Sequence, residues 1–161
     1  MLRKNSSRKS KTSGGAFAIV ASRYNAEFVD AMLRAAKAEL LRAGATVQIV
    51  RVPGAYEIPV VAARLARTQN FSAILCLGVI LRGATTHAAH IGEAVSNALM
   101  QIQVETTVPV IHEVLLLENQ AQARVRCQDK KHNRGTEAAQ TALEMARVMA
   151  SLPPGENEIP F

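Results

Sequence analysis

Ala73-Ile74-Leu75-Cys76-Leu77-Gly78-Val79-Ile80-Leu81, followed at once by Arg82-Gly83-Ala84-Thr85-Thr86-His87, is the stretch that decides how this chain folds. A strand that is apolar at every position, not only at alternate ones, must be buried on both faces, as at the centre of a parallel sheet covered by helices. Downstream, His87–Thr106 carries Ile91, Val95, Ala98, Leu99 and Ile102 on one helical stripe. Residues 108–117 then read as a strand, and 119–127 and Arg134–Ser151 as helices joined by the basic loop 128–133. Upstream, 57–68 is helical, with Pro59 tolerated in its first turn. Thr46–Val52 is a strand closed by the Pro53-Gly54 turn. A helix capped by Asn25 places Phe28, Met32, Ala36 and Leu40 on one face and stops at Gly44. Residues 16–21 supply a further buried strand.

Strand and helix therefore alternate, and the expected architecture is α/β: a three-layer αβα sandwich around a central parallel four-stranded sheet, flavodoxin-like. The expected divisions are a basic arm over 1–15, one domain over 16–152 and a polar tail over 153–161. The length of 161 residues suits a single domain. Of the formal charge of +6, five units come from Arg3, Lys4, Arg8, Lys9 and Lys11, so the body is close to neutral and gives little reason to expect specific nucleic-acid binding. Aromatic residues are 4% with no Trp, which argues against a base-stacking platform. Cys76 and Cys127 are too few for a disulfide framework and read as reduced thiols. No apolar run approaches the roughly 20 residues of a membrane span, and no signal-peptide pattern follows the basic start. The expectation is a soluble cytoplasmic protein with no membrane association.

In parallel sheets of this kind ligands bind outside the carboxyl ends of the strands, which directs attention to four loops. Arg82-Gly83-Ala84-Thr85-Thr86-His87 offers a close backbone approach at Gly83, and hydroxyls and amides at a helix start where the dipole favours an anion. A Thr cap after a tight turn would account for the same residues. The segment lacks the Lys of a P-loop, and the chain holds no GxGxxG, so nucleotide chemistry is disfavoured. His87 falls on the first turn, where the positive helix end disfavours a second positive charge, and it suits a general base. His87, His90 and Glu93 step by three, not by the four of helical metal pairs, so no metal is expected. Arg124, Arg126, Lys130, Lys131 and Arg134 form either a solvated basic run or a phosphate clamp. After the second strand, Gly54 exposes backbone groups and Glu57 could accept from sugar hydroxyls or simply favour the helix dipole. Tyr24 offers a stacking ring, or a buried aromatic.

Taken together, Ser22-Arg23-Tyr24-Asn25, Val52-Pro53-Gly54-Ala55-Tyr56-Glu57-Ile58-Pro59, Gly78 through His87, Pro109-Val110-Ile111-His112 and Asn133-Arg134-Gly135 strongly resemble lumazine synthase in order and spacing, over about residues 16–150. The resemblance implies condensation of 5-amino-6-(D-ribitylamino)uracil with 3,4-dihydroxy-2-butanone 4-phosphate to 6,7-dimethyl-8-ribityllumazine, releasing phosphate and water, without cofactor or metal. It implies that His87 moves protons. Tyr24 would stack on the pyrimidine, Ala55, Tyr56 and Glu57 would meet the ribityl chain, and Val79, Ile80 and Leu81 the heterocycle edge. Ala84, Thr85 and Arg126 would bind the butanone phosphate. Of these, Arg126 would arrive from a neighbouring subunit, as would His112 toward the pyrimidine. The family assembles with the pentamer as smallest unit, extending to a sixty-subunit shell, and associates with riboflavin synthase. His112 stands where Phe is usual, Tyr24 where Phe or Trp is, and Arg134 where Lys is. His112 and the charged loop 128–133 motivate an alternative: a catalytically reduced structural shell or binding module whose basic arm recruits cargo or nucleic acid.

Overall fold

The computed structural model describes residues 14–155; the expected basic arm up to residue 13, and the tail from 156 on, lie outside the described residues. The elements are β1 (Ala16–Ser22), α1 (Ala26–Arg42), β2 (Thr46–Val52), a 3₁₀ turn (Ala55–Glu57), α2 (Ile58–Arg67), β3 (Ala73–Leu81), α3 (His87–Thr106), β4 (Val110–Leu117), α4 (Gln120–Gln128) and α5 (Arg134–Ser151). The sheet is four-stranded and parallel throughout, as expected, and its strands run in the order β2-β1-β3-β4.

Alternate residues of the two central strands feed two separate cores. Phe17, Ile19 and Ala21 of β1 and Leu75, Leu77 and Val79 of β3 pack under α1, α4 and α5. Ala18 and Val20 of β1 and Ile74 and Cys76 of β3 pack under α2 and α3. Both strands are thus buried on both sides, which is why neither tolerates an alternating polar pattern. The thiols lie in different cores, both buried; burial pushes Cys76 up to about 12 and Cys127 up to about 11, so both serve as small apolar groups.

Three local details differ from the sequence reading. The turn before α2 is a separate 3₁₀ segment, because the Glu57 carboxylate accepts from the Gly54 N–H at 3.0 Å and closes it before Pro59. The fourth strand begins at Val110, not at residue 108, and α4 begins at Gln120, with Asn119 as a true cap accepting from the Gln122 N–H at 2.9 Å. Asn25 occupies the cap position of α1 in the left-handed region (φ 57°), but its side chain makes no cap bond.

Gly135, in the first turn of α5, lets that helix lie directly on α1: a Cβ there would stand 2.1 Å from the Met32 carbonyl oxygen. Backbone cannot yield as a side-chain tip can, so Gly135→Ala should force the helices apart. The expected cost is about 1–3 kcal/mol of overpacking. A urea denaturation midpoint equal to that of the parent chain would show that α1 and α5 adjust freely.

Candidate active site

At the carboxyl ends of β1 and β3, where the chain leaves neighbouring strands in opposite directions, lies a cavity of about 980 Å³. Tyr24 and Asn25 line it from the loop after β1, and Gly54, Ala55, Tyr56 and Glu57 from the turn after β2. Val79, Ile80 and Leu81 close it from the end of β3. Gly83, Thr85 and five residues of α3, namely His87, Ala88, His90, Ile91 and Ala94, form the remaining wall. The lining is largely apolar with a few convergent polar groups, the usual constitution of a small-molecule site.

Nine of the residues singled out from sequence therefore meet in one space: Tyr24, Ala55, Tyr56, Glu57, Val79, Ile80, Leu81, Thr85 and His87. Ala84 lies between two lining residues without lining the cavity itself. Tyr24 is 74% exposed, so the reading of it as a buried aromatic is set aside. Of the two readings of the helix start, a simple Thr cap finds little support: Thr86 holds the cap position of α3 with no side-chain cap bond, and the Thr85 hydroxyl only accepts from the His87 N–H at 3.4 Å. Glu57 does not reach into the cavity unencumbered, since one of its oxygens is engaged by Gly54.

Asn25 is the residue whose role the sequence concealed. It reads as a helix cap, yet its amide donates to the Val79 carbonyl at 2.7 Å, tying the loop after β1 to the end of β3 across the cavity floor. Its left-handed backbone, a conformation Asn tolerates better than most residues, was the available sign, but φ is not legible in a single sequence.

His112 and Arg126 do not line the cavity of this chain. His112, on β4, is held by both ring nitrogens. Its Nδ1 accepts from the Val114 N–H at 3.1 Å, so Nε2 carries the proton and donates to the Ser96 hydroxyl at 2.7 Å, which in turn donates to the Gly92 carbonyl at 2.8 Å. Burial lowers the His112 pKa, in keeping with a neutral ring. This directionality excludes an activated serine, because the imidazole donates to Ser96 and has no free lone pair to take its proton. Arg126 projects from α4, which packs on the opposite face of the sheet from α3, and its charge acts on Glu113.

Glu113 is the buried acid of the molecule's described part, 6% exposed on β4. Arg134 grips it through Nε and Nη2 at 3.1 and 3.0 Å and reaches Glu137 with Nη1 at 2.6 Å. Burial raises the Glu113 pKa and Arg134 opposes that rise. Among the described residues no group of His, Cys, Asp and Glu is arranged to hold a metal ion. Nor is any described helix long and apolar enough to cross a membrane.

Residues 14–150 match the family model for 6,7-dimethyl-8-ribityllumazine synthase. The chain belongs to the lumazine synthase family. A lumazine synthase of Desulfotalea psychrophila (strain LSv54 / DSM 12343) is 41% identical over 145 residues, which covers 88% of this chain and 94% of that protein. One of Stenotrophomonas maltophilia (strain R551-3) is 41% identical over 140 residues, 85% of this chain and 90% of the relative. One of Xylella fastidiosa (strain 9a5c) is 39% identical over 146 residues, 89% and 95% respectively.

The Arg134–Glu113 pair of this lumazine synthase family member gives a signed prediction. A carboxyl whose folded pKa is raised contributes most to stability when protonated, and that contribution is lost as pH rises through the raised value. Arg134→Met removes the cation and should leave a buried carboxylate alone at neutral pH, costing about 1.5–3 kcal/mol. The loss should shrink as the pH is lowered into the carboxylate range. Urea titrations of both proteins at pH 7 and pH 4.5 check this; a gap that widens at the lower pH contradicts the assignment.

Proposed function

We propose that this chain condenses 5-amino-6-(D-ribitylamino)uracil with 3,4-dihydroxy-2-butanone 4-phosphate, releasing phosphate and water and yielding 6,7-dimethyl-8-ribityllumazine. The observation that carries the reading is the joining, in one cavity, of an exposed tyrosine ring, the Gly54–Glu57 turn, the end of β3 and the start of α3 with His87. Tyr24 offers its face to the pyrimidine. Main-chain groups of Val79, Ile80 and Leu81 meet the edge of the heterocycle, and Ala55, Tyr56 and Glu57 the ribityl chain. Ala84 and Thr85 place amides and a hydroxyl around the phosphate at the positive end of α3.

The amine attacks the ketone and one water departs to leave an imine; phosphate is then eliminated, the resulting enol becomes a ketone, and the ribitylamino nitrogen closes the ring on that carbonyl with loss of a second water. Each stage moves protons, and His87, beside the anion position, is the group that takes and returns them. No metal or cofactor enters the reaction.

The phosphate of this cavity lacks a full positive charge from its own α3, and Arg126 stands on the other face of the sheet. We assign Arg126 and His112 to the cavity of an adjoining copy, with a pentamer as the smallest unit. The exposed apolar surface supports assembly: Val60, 70% exposed, lines an apolar cleft between α2 and α3, and Met100 and Val104 of α3 are 59% and 68% exposed. Among the described residues, no strand pairs with the outer edge of β2. His112, with its nitrogens occupied internally, presents a ring face where an aromatic is usual, so its polarity does not oppose a stacking role. Whether pentamers build a sixty-subunit shell, and whether riboflavin synthase joins them, follows from the family and not from this chain's geometry. The buried free thiols accord with a cytoplasmic setting. The alternative, a binding module acting through the arm, rests on residues outside the described part and leaves the cavity without a role.

Steady-state assays with both substrates, reading lumazine fluorescence, test the proposal; assembled protein with no turnover would reject it. Arg126→Ala should weaken use of the phosphate substrate by about 10–100-fold, the worth of a charge-assisted hydrogen bond. Co-assembling the impaired His87→Ala and Arg126→Ala chains should raise activity above that of either variant alone, since some cavities then receive both intact groups. Absence of any recovery in mixed assemblies would place Arg126 in the cavity of its own chain. Light scattering after size exclusion should give at least five copies.

A further inference from the structure

His90 is the lining residue that neither the anion position nor the proton transfers require. It stands one turn after His87 on α3, about 4.5 Å further along the helix axis. The start of α3, with Gly83, Thr85 and His87, is the anion end of the cavity; the opposite end is bounded by Tyr56 and Ala94, which also line the neighbouring cleft between α2 and α3. His90 lies between these along α3 and lines the same cavity as the Ala55–Glu57 turn, which packs against α3.

Two of the polar groups lining the cavity are already partly committed. The Asn25 amide is donated to Val79, and a Glu57 oxygen accepts from Gly54. The His90 ring makes no hydrogen bond with any described residue and is exposed to the cavity mouth. A neutral imidazole offers one donor and one acceptor, which suits a vicinal polyol, whose hydroxyls each need both. The same position is poor for the phosphate, which the helix start already holds a turn away.

We propose that His90 is a substrate-positioning residue that hydrogen-bonds the hydroxyl chain of the ribityl group and so selects a polyol-bearing amine. The proposal rests on the activity proposed above. It names a residue for the amine alone, which separates it from His87.

The test varies each substrate in turn with the parent enzyme, His90→Ala and His90→Gln. Because His90 is exposed, both variants should keep the parent's urea midpoint. His90→Ala should raise KM for the ribitylamine about tenfold and leave KM for the butanone phosphate within twofold. His90→Gln, whose amide also donates and accepts, should recover most of the loss. With an amine carrying a plain pentyl chain in place of ribityl, parent and His90→Ala should bind equally by calorimetry. Equal rises in both KM values, no rise in either, or a parent advantage that persists with the pentyl amine would overturn the proposal. Should the parent enzyme itself make no lumazine, the activity fails. Calorimetry of ribitylamine and pentylamine binding to parent and variant would still decide the role of His90.

Discussion

Burial of β1 and β3 on both faces is the constraint from which the rest of this molecule follows. A strand enclosed by helices above and below has no outlet for a charged side chain along its length, so Phe17 through Ala21 and Ala73 through Leu77 are apolar throughout. Reactive groups are thereby displaced to where these strands end. Because the strands are parallel, all their carboxyl ends emerge together, and the loops after β1, β2 and β3 converge on one space. The same constraint isolates the two thiols and explains why Gly78 sits in β3: a Cβ there would press at 3.3 Å on Ile58, Ser22 and Val114 at once.

The layered arrangement also divides the chemistry. Helix α3, with His87, covers one face, whereas α4 and α5, with Arg126 and the Glu113–Arg134 pair, cover the other. The loop after β1, which leads into α1 on one face, and the start of α3 on the other meet at the strand ends, but Arg126 on α4 does not line that space.

Much of the framework was legible because it is written in periodicity. The uninterrupted apolarity of Ala73–Leu81 gave a doubly buried strand with its true ends, and the stripe from Ile91 to Ile102 gave α3. Loop positions before helix starts and after strand ends then group Tyr24, the Ala55–Glu57 turn, Thr85 and His87, which share one cavity. What escaped were features set by individual torsion angles or by partners distant in sequence. Asn25 looked like a cap because its residue type suits one, yet its partner is 54 positions away. The internal pairing of His112 depends on Ser96 from another element, and the cavity position of His90 depends on which way α3 is rotated. Neither follows from residue type or spacing alone.

The bond from Asn25 to the Val79 carbonyl has a further consequence for how the cavity wall can move. It ties the loop after β1 to the end of β3, so the two cannot part without breaking a part-buried hydrogen bond. The opposite rim, residues 82–86, has no regular hydrogen-bonded ladder, and Gly83 there has open space around it. Movement of the cavity wall is thereby biased toward residues 82–86, away from the tie between Asn25 and Val79.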